Sequence, residues 1–234
     1  MEPNVDAVPL VRDIWIRLAI FALGFAPIGS LSLSAFNLIP LHISGPCVVL
    51  PAILLAFIVG STFPRRSQTL VRGFMLGLVA VFLYDLTSRF PFIATGIWPD
   101  FIPKIGCYLL DRAHVHWSVG YLWRYIGNGG GMGLAFYAAY PIVSHLIKPI
   151  KAGVIYGVAI FCCLLVTIYM SPSGRIYLFN PSLITGLVGL MGHVVFGFTL
   201  GYGVKWFPDR DAKMSSATVE HGQGLLQSLQ KDSL

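Results

Sequence analysis

Asp85 and Arg124 stand inside stretches of sequence that are otherwise almost wholly apolar. An ionisable side chain in such a setting is expensive and normally faces a partner or a polar cavity. A direct carboxylate–guanidinium pair would neutralise both, while Arg89, four residues after Asp85 on the same helical face, competes for the same carboxylate. Trp117, Tyr121, Arg124, Asn128 and Gly131 recur at intervals of four, three, four and three, which places them on one face of a regular helix. That face runs from an outer aromatic through a guanidinium and an amide to bare backbone. A guanidinium matches carboxylate or phosphate as a planar fork, and glycine admits a ligand or a neighbouring helix to the main chain, so the face suits an anionic or carbonyl-bearing group. Equally, Arg124 closes a structural salt bridge and Asn128 bonds across helices. His193 is the one imidazole on a face otherwise made of Gly186, Gly189, Gly197 and Gly201; it can carry a proton, bind a metal or haem, or bond to a facing carbonyl. Asp85, Arg124, Asn128, His193, Tyr121 and Trp117 are therefore the candidate ligand-binding residues.

Metal chemistry has a thinner basis. Asp111, His114 and His116 form the arrangement closest to a ligand set, but the two histidines point about 200° apart on a helix and would share one ion only in an extended segment. Four cysteines show no C-x-x-C spacing, so neither zinc nor thioredoxin-like redox chemistry is expected. Cys162 and Cys163 read as buried packing residues, and Cys47 and Cys107 fall on one side of the membrane, where an oxidising compartment could join them. The glycine run 129–131 lacks the strand and the Lys-Ser/Thr of a P-loop. No cofactor is expected.

The elements that must position these residues are long apolar blocks at about 14–36, 46–63, 70–90, 118–143, 152–170 and 184–206. A hydrocarbon core about 30 Å thick takes roughly 20 apolar residues per helix, with every backbone amide bonded inside the segment. With 56% hydrophobic and 11% charged residues, against roughly 25% charged in a soluble domain, the chain is expected to be an all-α, polytopic transmembrane bundle of about six spans. Residues 1–207 form one domain, and 208–234 read as a polar cytoplasmic tail. The net charge of +6 invites a nucleic-acid reading, but the basic residues flank the blocks and form no aromatic-interleaved stripe. Arg12, Arg17, Arg65, Arg66, Arg72, Lys148, Lys151, Lys205, Arg210, Lys213 and Lys231 fall on one side, and Arg89, Lys104, Arg112 and Arg175 on the other. The positive-inside rule then places both termini in the cytoplasm, in a plasma membrane of the bacterial inner-membrane type. The first block is expected to stay uncleaved and to kink at Pro27.

Glycine spacing predicts how the helices meet. Gly73 and Gly77, Gly127 to Gly133, Gly153 and Gly157, and Gly197 and Gly201 each contain a small-residue face that lets backbones approach. The segments opening at Arg72-Gly73 and Ala152-Gly153 are weakly alike, so two related hairpins, about 69–147 and 150–207, are expected. The segment 91–117, rich in aromatics and proline, is expected to lie at the outer interface with a short helix near Ile105–Leu110 and to cap the bundle.

An intramembrane enzyme would take one concrete form. Six spans, a large interfacial outer segment, a glycine-rich fourth helix and Gly192-His193 in the sixth together resemble the rhomboid intramembrane proteases. Where that family carries a serine in a G-x-S-x setting, this chain has Gly127-Asn128-Gly129-Gly130, and Ser118 comes too early. Three functions follow in order: a small-solute, ion or lipid-handling protein that takes a small anionic or lipid ligand; a scaffold that joins a second copy or another membrane protein through its glycine faces; and an enzyme.

Overall fold

The computed structural model describes residues 7–61 and 64–207, with side chains over 12–59 and 68–207. The tail 208–234 and the side chains of Arg65, Arg66, Arg210, Lys213 and Lys231 lie outside the described residues. Within them the chain is helical and contains no strand. We number the helices α1 (Ala7–Gly24), α2 (Ala26–Ala35), α3 (41–61), α4 (64–94), α5 (Ile102–Leu110), α6 (117–143), α7 (Pro149–Met170), α8 (Gly174–Tyr177) and α9 (Leu183–Trp206).

Four helical stretches are long and apolar enough to cross a membrane: Leu41–Val59, Gln68–Ala94, Pro149–Met170 and Leu183–Trp206. The bent pair α1–α2 makes a fifth if it is one span. Its two parts meet at 48°, and the break falls at Phe25, two residues before the expected Pro27, which sits in the first turn of α2 where its missing N–H leaves no partner unsatisfied. The remaining block, α6, is helical from end to end but less apolar than these, because Arg124, Asn128 and four glycines occupy its first half. It is also the most enclosed helix, buried at every position from Gly129 to Ala138. A helix wrapped by other helices does not meet lipid and need not be apolar. Large apolar side chains such as Leu54, Ile58, Met75, Phe82 and Leu187 are instead exposed on the outside of the bundle, as lipid-facing surfaces require. Cys162 and Cys163 join them. They are exposed on α7, a correction to their expected burial, because Gly153, Gly157 and Ile160 mark the packed face of that helix, with Cys162 opposite it and Cys163 on its flank.

Glycine-to-backbone contacts hold the bundle. A Cβ on Gly77 would collide with the Gly129 carbonyl, and one on Gly133 with that of Gly73, so α4 and α6 cross at backbone distance. The same holds for Gly153 against Gly197 and Gly157 against the carbonyl of His193, which lock α7 to α9. Gly24 meets Gly131 where α1 crosses α6. In lipid, where no hydrophobic drive joins helices, such close approach supplies the van der Waals contact.

Three helices carry π-helical turns: Gly45–Val49 in α3, Asp85–Arg89 in α4 and Trp123–Gly131 in α6. Pro91 has no N–H to offer the carbonyl of Thr87, which favours the wider turn before it, and the glycines of 127–131 lower the conformational barrier in α6. Beyond α4, Gly96 at φ +72° turns the chain back. Trp98, Phe101, Ile102 and Ile105 then bury themselves against Phe179, Leu178 and Trp123, closing one end of the bundle. The loop after α7 ends at Ser182, whose hydroxyl accepts from Thr185 N–H and caps α9.

Candidate functional site

Only four acidic residues occur between positions 12 and 207, namely Asp13, Asp85, Asp100 and Asp111, so where each goes is informative. Asp85, fully enclosed, accepts from Arg124 at 2.6 Å on Oδ1 and lies 3.0 Å from Arg89 Nη1. The two arginines that competed for it in the sequence thus share it. Arg89, itself only 1% exposed, reaches on to Asp100 at 2.7 Å and to the Tyr121 hydroxyl at 2.8 Å. Tyr121 in turn donates to Asp100 Oδ2 at 2.9 Å, and the Ile102 N–H donates to Oδ1 at 3.2 Å. The result is a closed network of two guanidiniums and two carboxylates whose formal charges cancel. Aromatic faces line it: the Arg124 guanidinium lies 4.5 Å from the centre of the Tyr84 ring and that of Arg89 5.3 Å from the centre of Tyr121.

The π-helical turns explain why these groups converge. A regular helix at 100° per residue puts Trp117 and Tyr121 over Arg124; a run of π turns changes the rotation per residue, so faces assigned upstream and downstream of Trp123 no longer align. Trp117 is 58% exposed and stacks on Tyr121 at 6.1 Å. It lies outside the cavity described next. Tyr121 joins the charge network through its hydroxyl.

A cavity of about 70 Å³ opens beside the network, bounded by α2, α4, α6, α7, α9 and the Trp98–Ile105 segment. Arg89, Arg124, Asn128, His193 and Trp98 form its polar part, and Ile28, Leu31, Met132, Ile160 and Leu164 its apolar part. With about 10–15 Å³ of such space needed to hold one water, a group of a few heavy atoms fits. Arg89 Nε, Trp98 Nε1 and Asn128 Oδ1 are buried with no hydrogen-bond partner in the protein. His193 Nδ1 lies 2.7 Å from the Gly189 carbonyl; a carbonyl only accepts, so Nδ1 carries the proton and the ring is held edge-on to Tyr84. On the seam between α2 and α7, Thr167 donates its hydroxyl proton to the Cys163 carbonyl, so the Ser32 hydroxyl is the donor in the 3.0 Å contact between Ser32 and Thr167.

The structure therefore brings Asp85, Arg124, Asn128 and His193 together around one network and cavity, and it adds Arg89, Trp98 and Asp100. Asp100 had a weak signal: it is the sole acidic residue between Asp85 and Asp111, placed among aromatics and prolines. Asp111, His114 and His116 are not gathered. Asp111 takes a left-handed conformation at φ +51° that ends α5, its carboxylate is 3.8 Å from His42, and the His114 carbonyl accepts from Cys107 at 2.9 Å. Among the described residues no three His, Cys, Asp or Glu side chains are placed to hold one metal ion. All four cysteines are free thiols. Ser118 is exposed on α6, away from the cavity that contains His193.

Compared with known protein families, with curated protein sequences and with solved structures, the chain matches none.

Proposed function

We propose that this protein binds, and moves across or within the membrane, a small solute bearing an oxyanion such as a carboxylate or phosphate. The observation that carries this reading is the surplus of buried N–H donors at the cavity: Arg89 Nε and Trp98 Nε1 have no protein partner, and Arg124 lies beside them. An unmatched buried donor destabilises by about 1–3 kcal/mol, so a ligand that supplies acceptor oxygens recovers that energy. Asn128 offers an amide to a remaining hydroxyl of the same ligand, and the apolar wall takes a short hydrocarbon part. In this reading the chain crosses the membrane six times, with α1–α2 and α6 as spans, its basic ends and both termini in the cytoplasm of a bacterial-type plasma membrane, and α4–α6 and α7–α9 as two related hairpins.

Native mass spectrometry of the protein released from nanodiscs tests it. A discrete non-protein mass is expected on the wild type and lost from Trp98→Phe and Asn128→Leu, both of which keep the charge network intact. A bare protein mass for all three would refute it.

A second reading, a non-catalytic scaffold, draws support from the cancellation of charge in the network. Its expected contact surface is weakened by the glycine faces, since those of α4, α6, α7 and α9 already meet one another within the chain.

A further inference from the structure

At the opposite end of the bundle from the Trp98 cap, the start of α4 and the ends of α6 and α9 enclose a notch of about 30 Å³ lined by Thr69, Arg72, Tyr137, Tyr140, Pro141 and Val204. Tyr137 is 4% exposed, yet its hydroxyl has no hydrogen-bond partner in the protein. Space for that hydroxyl exists because residue 203 is glycine: a Cβ there would come within 2.8 Å of the oxygen. Arg72, exposed at the mouth, supplies the positive charge. Pro141 has no N–H to give the Tyr137 carbonyl, so the helix ladder is open beside the notch as well. The depth is marked independently. On the outer face of α9, Phe198, Tyr202 and Trp206 stack in a ladder with ring separations of 6.0 and 6.1 Å, all exposed, and exposed Tyr and Trp on a spanning helix sit at headgroup level.

From this combination we infer that the notch is a binding site for the phosphate of an acidic phospholipid, distinct from the central cavity. One phosphate oxygen accepts from the Tyr137 hydroxyl and the guanidinium of Arg72 pairs with the remaining charge. The acyl chains run along the exposed Val71, Met75 and Val79 stripe of α4. The notch is too small for a whole headgroup, so the glycerol or other substituent stays at the mouth.

The test uses the full chain in nanodiscs of phosphatidylcholine with a minority of phosphatidylglycerol, counting by native mass spectrometry the phosphatidylglycerol molecules retained on the ejected protein. Wild type and Lys151→Gln, a charge control at the same end, are expected to retain one. Arg72→Gln is expected to retain about fivefold less, the factor set by one basic residue near an anionic surface. Tyr137→Phe is expected to lose the lipid as well, while its unfolding midpoint stays level or rises, because it removes an unpartnered hydroxyl. Equal retention by wild type and Arg72→Gln or Tyr137→Phe overturns the proposal, as does an equal loss from Lys151→Gln, which would show diffuse attraction to the basic end. Displacement of the lipid by inorganic phosphate in the buffer would make this a site for a free anion and overturn the lipid assignment.

Discussion

A carboxylate with two arginines is balanced only if a second carboxylate arrives, and Asp100 brings it. Asp100→Asn leaves Arg89 and Arg124 to share Asp85, so a buried cluster of zero net charge becomes one of +1. Removing one partner of a buried pair typically destabilises by about 3–5 kcal/mol; Tyr121→Phe, which deletes one hydroxyl from the same network, should cost about 1–3 kcal/mol. Thermal or denaturant unfolding in micelles checks the order, with exposed Lys104→Gln as the reference. If Asp100→Asn unfolds where Lys104→Gln does, the network is not what steadies this end of the bundle. At this scale the sequence was legible where hydropathy speaks: a lone acid in an apolar block needs a basic partner, and of the two on offer, Arg124 and Arg89, the structure uses both. For Asp100 the sequence offered only a lone acid among aromatics and prolines, since a loop has no periodicity from which to infer where that acid points. Uniform helical rotation carries Trp117 onto the same face as Arg124 and Asn128, but the turns at 123–131 do not follow it.

That the chain is helical follows from its apolar runs and that its helices pack closely follows from glycine spacing, because both signals are local and both follow from the absence of water in the membrane. The break at Phe25 and the continuation of α4 past Pro91 to Ala94 follow from neither, since they depend on how neighbours compensate a missing N–H. Glycine contacts also differ in consequence. Gly157→Ala drives a methyl group into the His193 carbonyl and must part α7 from α9, with an expected loss of about 1–3 kcal/mol. Gly186→Ala, with nothing within 4 Å of the new methyl, should be neutral or slightly stabilising through helix propensity. Unfolding midpoints of the two variants, measured side by side, separate packing glycines from permissive ones; similar midpoints would mean the helix crossing tolerates an extra methyl group.

For the molecule as a whole, the proposed six-crossing topology is tested by thiol labelling in a cysteine-free background. Arg112→Cys and Lys148→Cys are expected to react with an impermeant reagent from opposite sides, and reaction of both from one side would remove a crossing between them. Access to the central cavity is a second matter at this scale. Its wall includes the α2–α7 seam, which Ser32 and Thr167 bridge. Ser32→Ala with Thr167→Val removes that bridge without adding bulk, so a ligand of the proposed kind should exchange several-fold faster, with a stability loss of no more than about 1.5 kcal/mol, as read by pulse-chase native mass spectrometry. An unchanged exchange rate would direct attention to another route.

The cancelled charge of the network also has an electrical consequence. Two guanidiniums and two carboxylates together feel no net force from a transmembrane voltage, so the network by itself carries no net charge through the field. A monoanion entering the cavity brings uncompensated charge into the field, with about 2.3 kcal/mol per 100 mV at stake for a full crossing and a proportionate fraction at intermediate depth. Occupancy in polarised vesicles should then shift with the sign of the applied potential, whereas occupancy by a neutral solute should not.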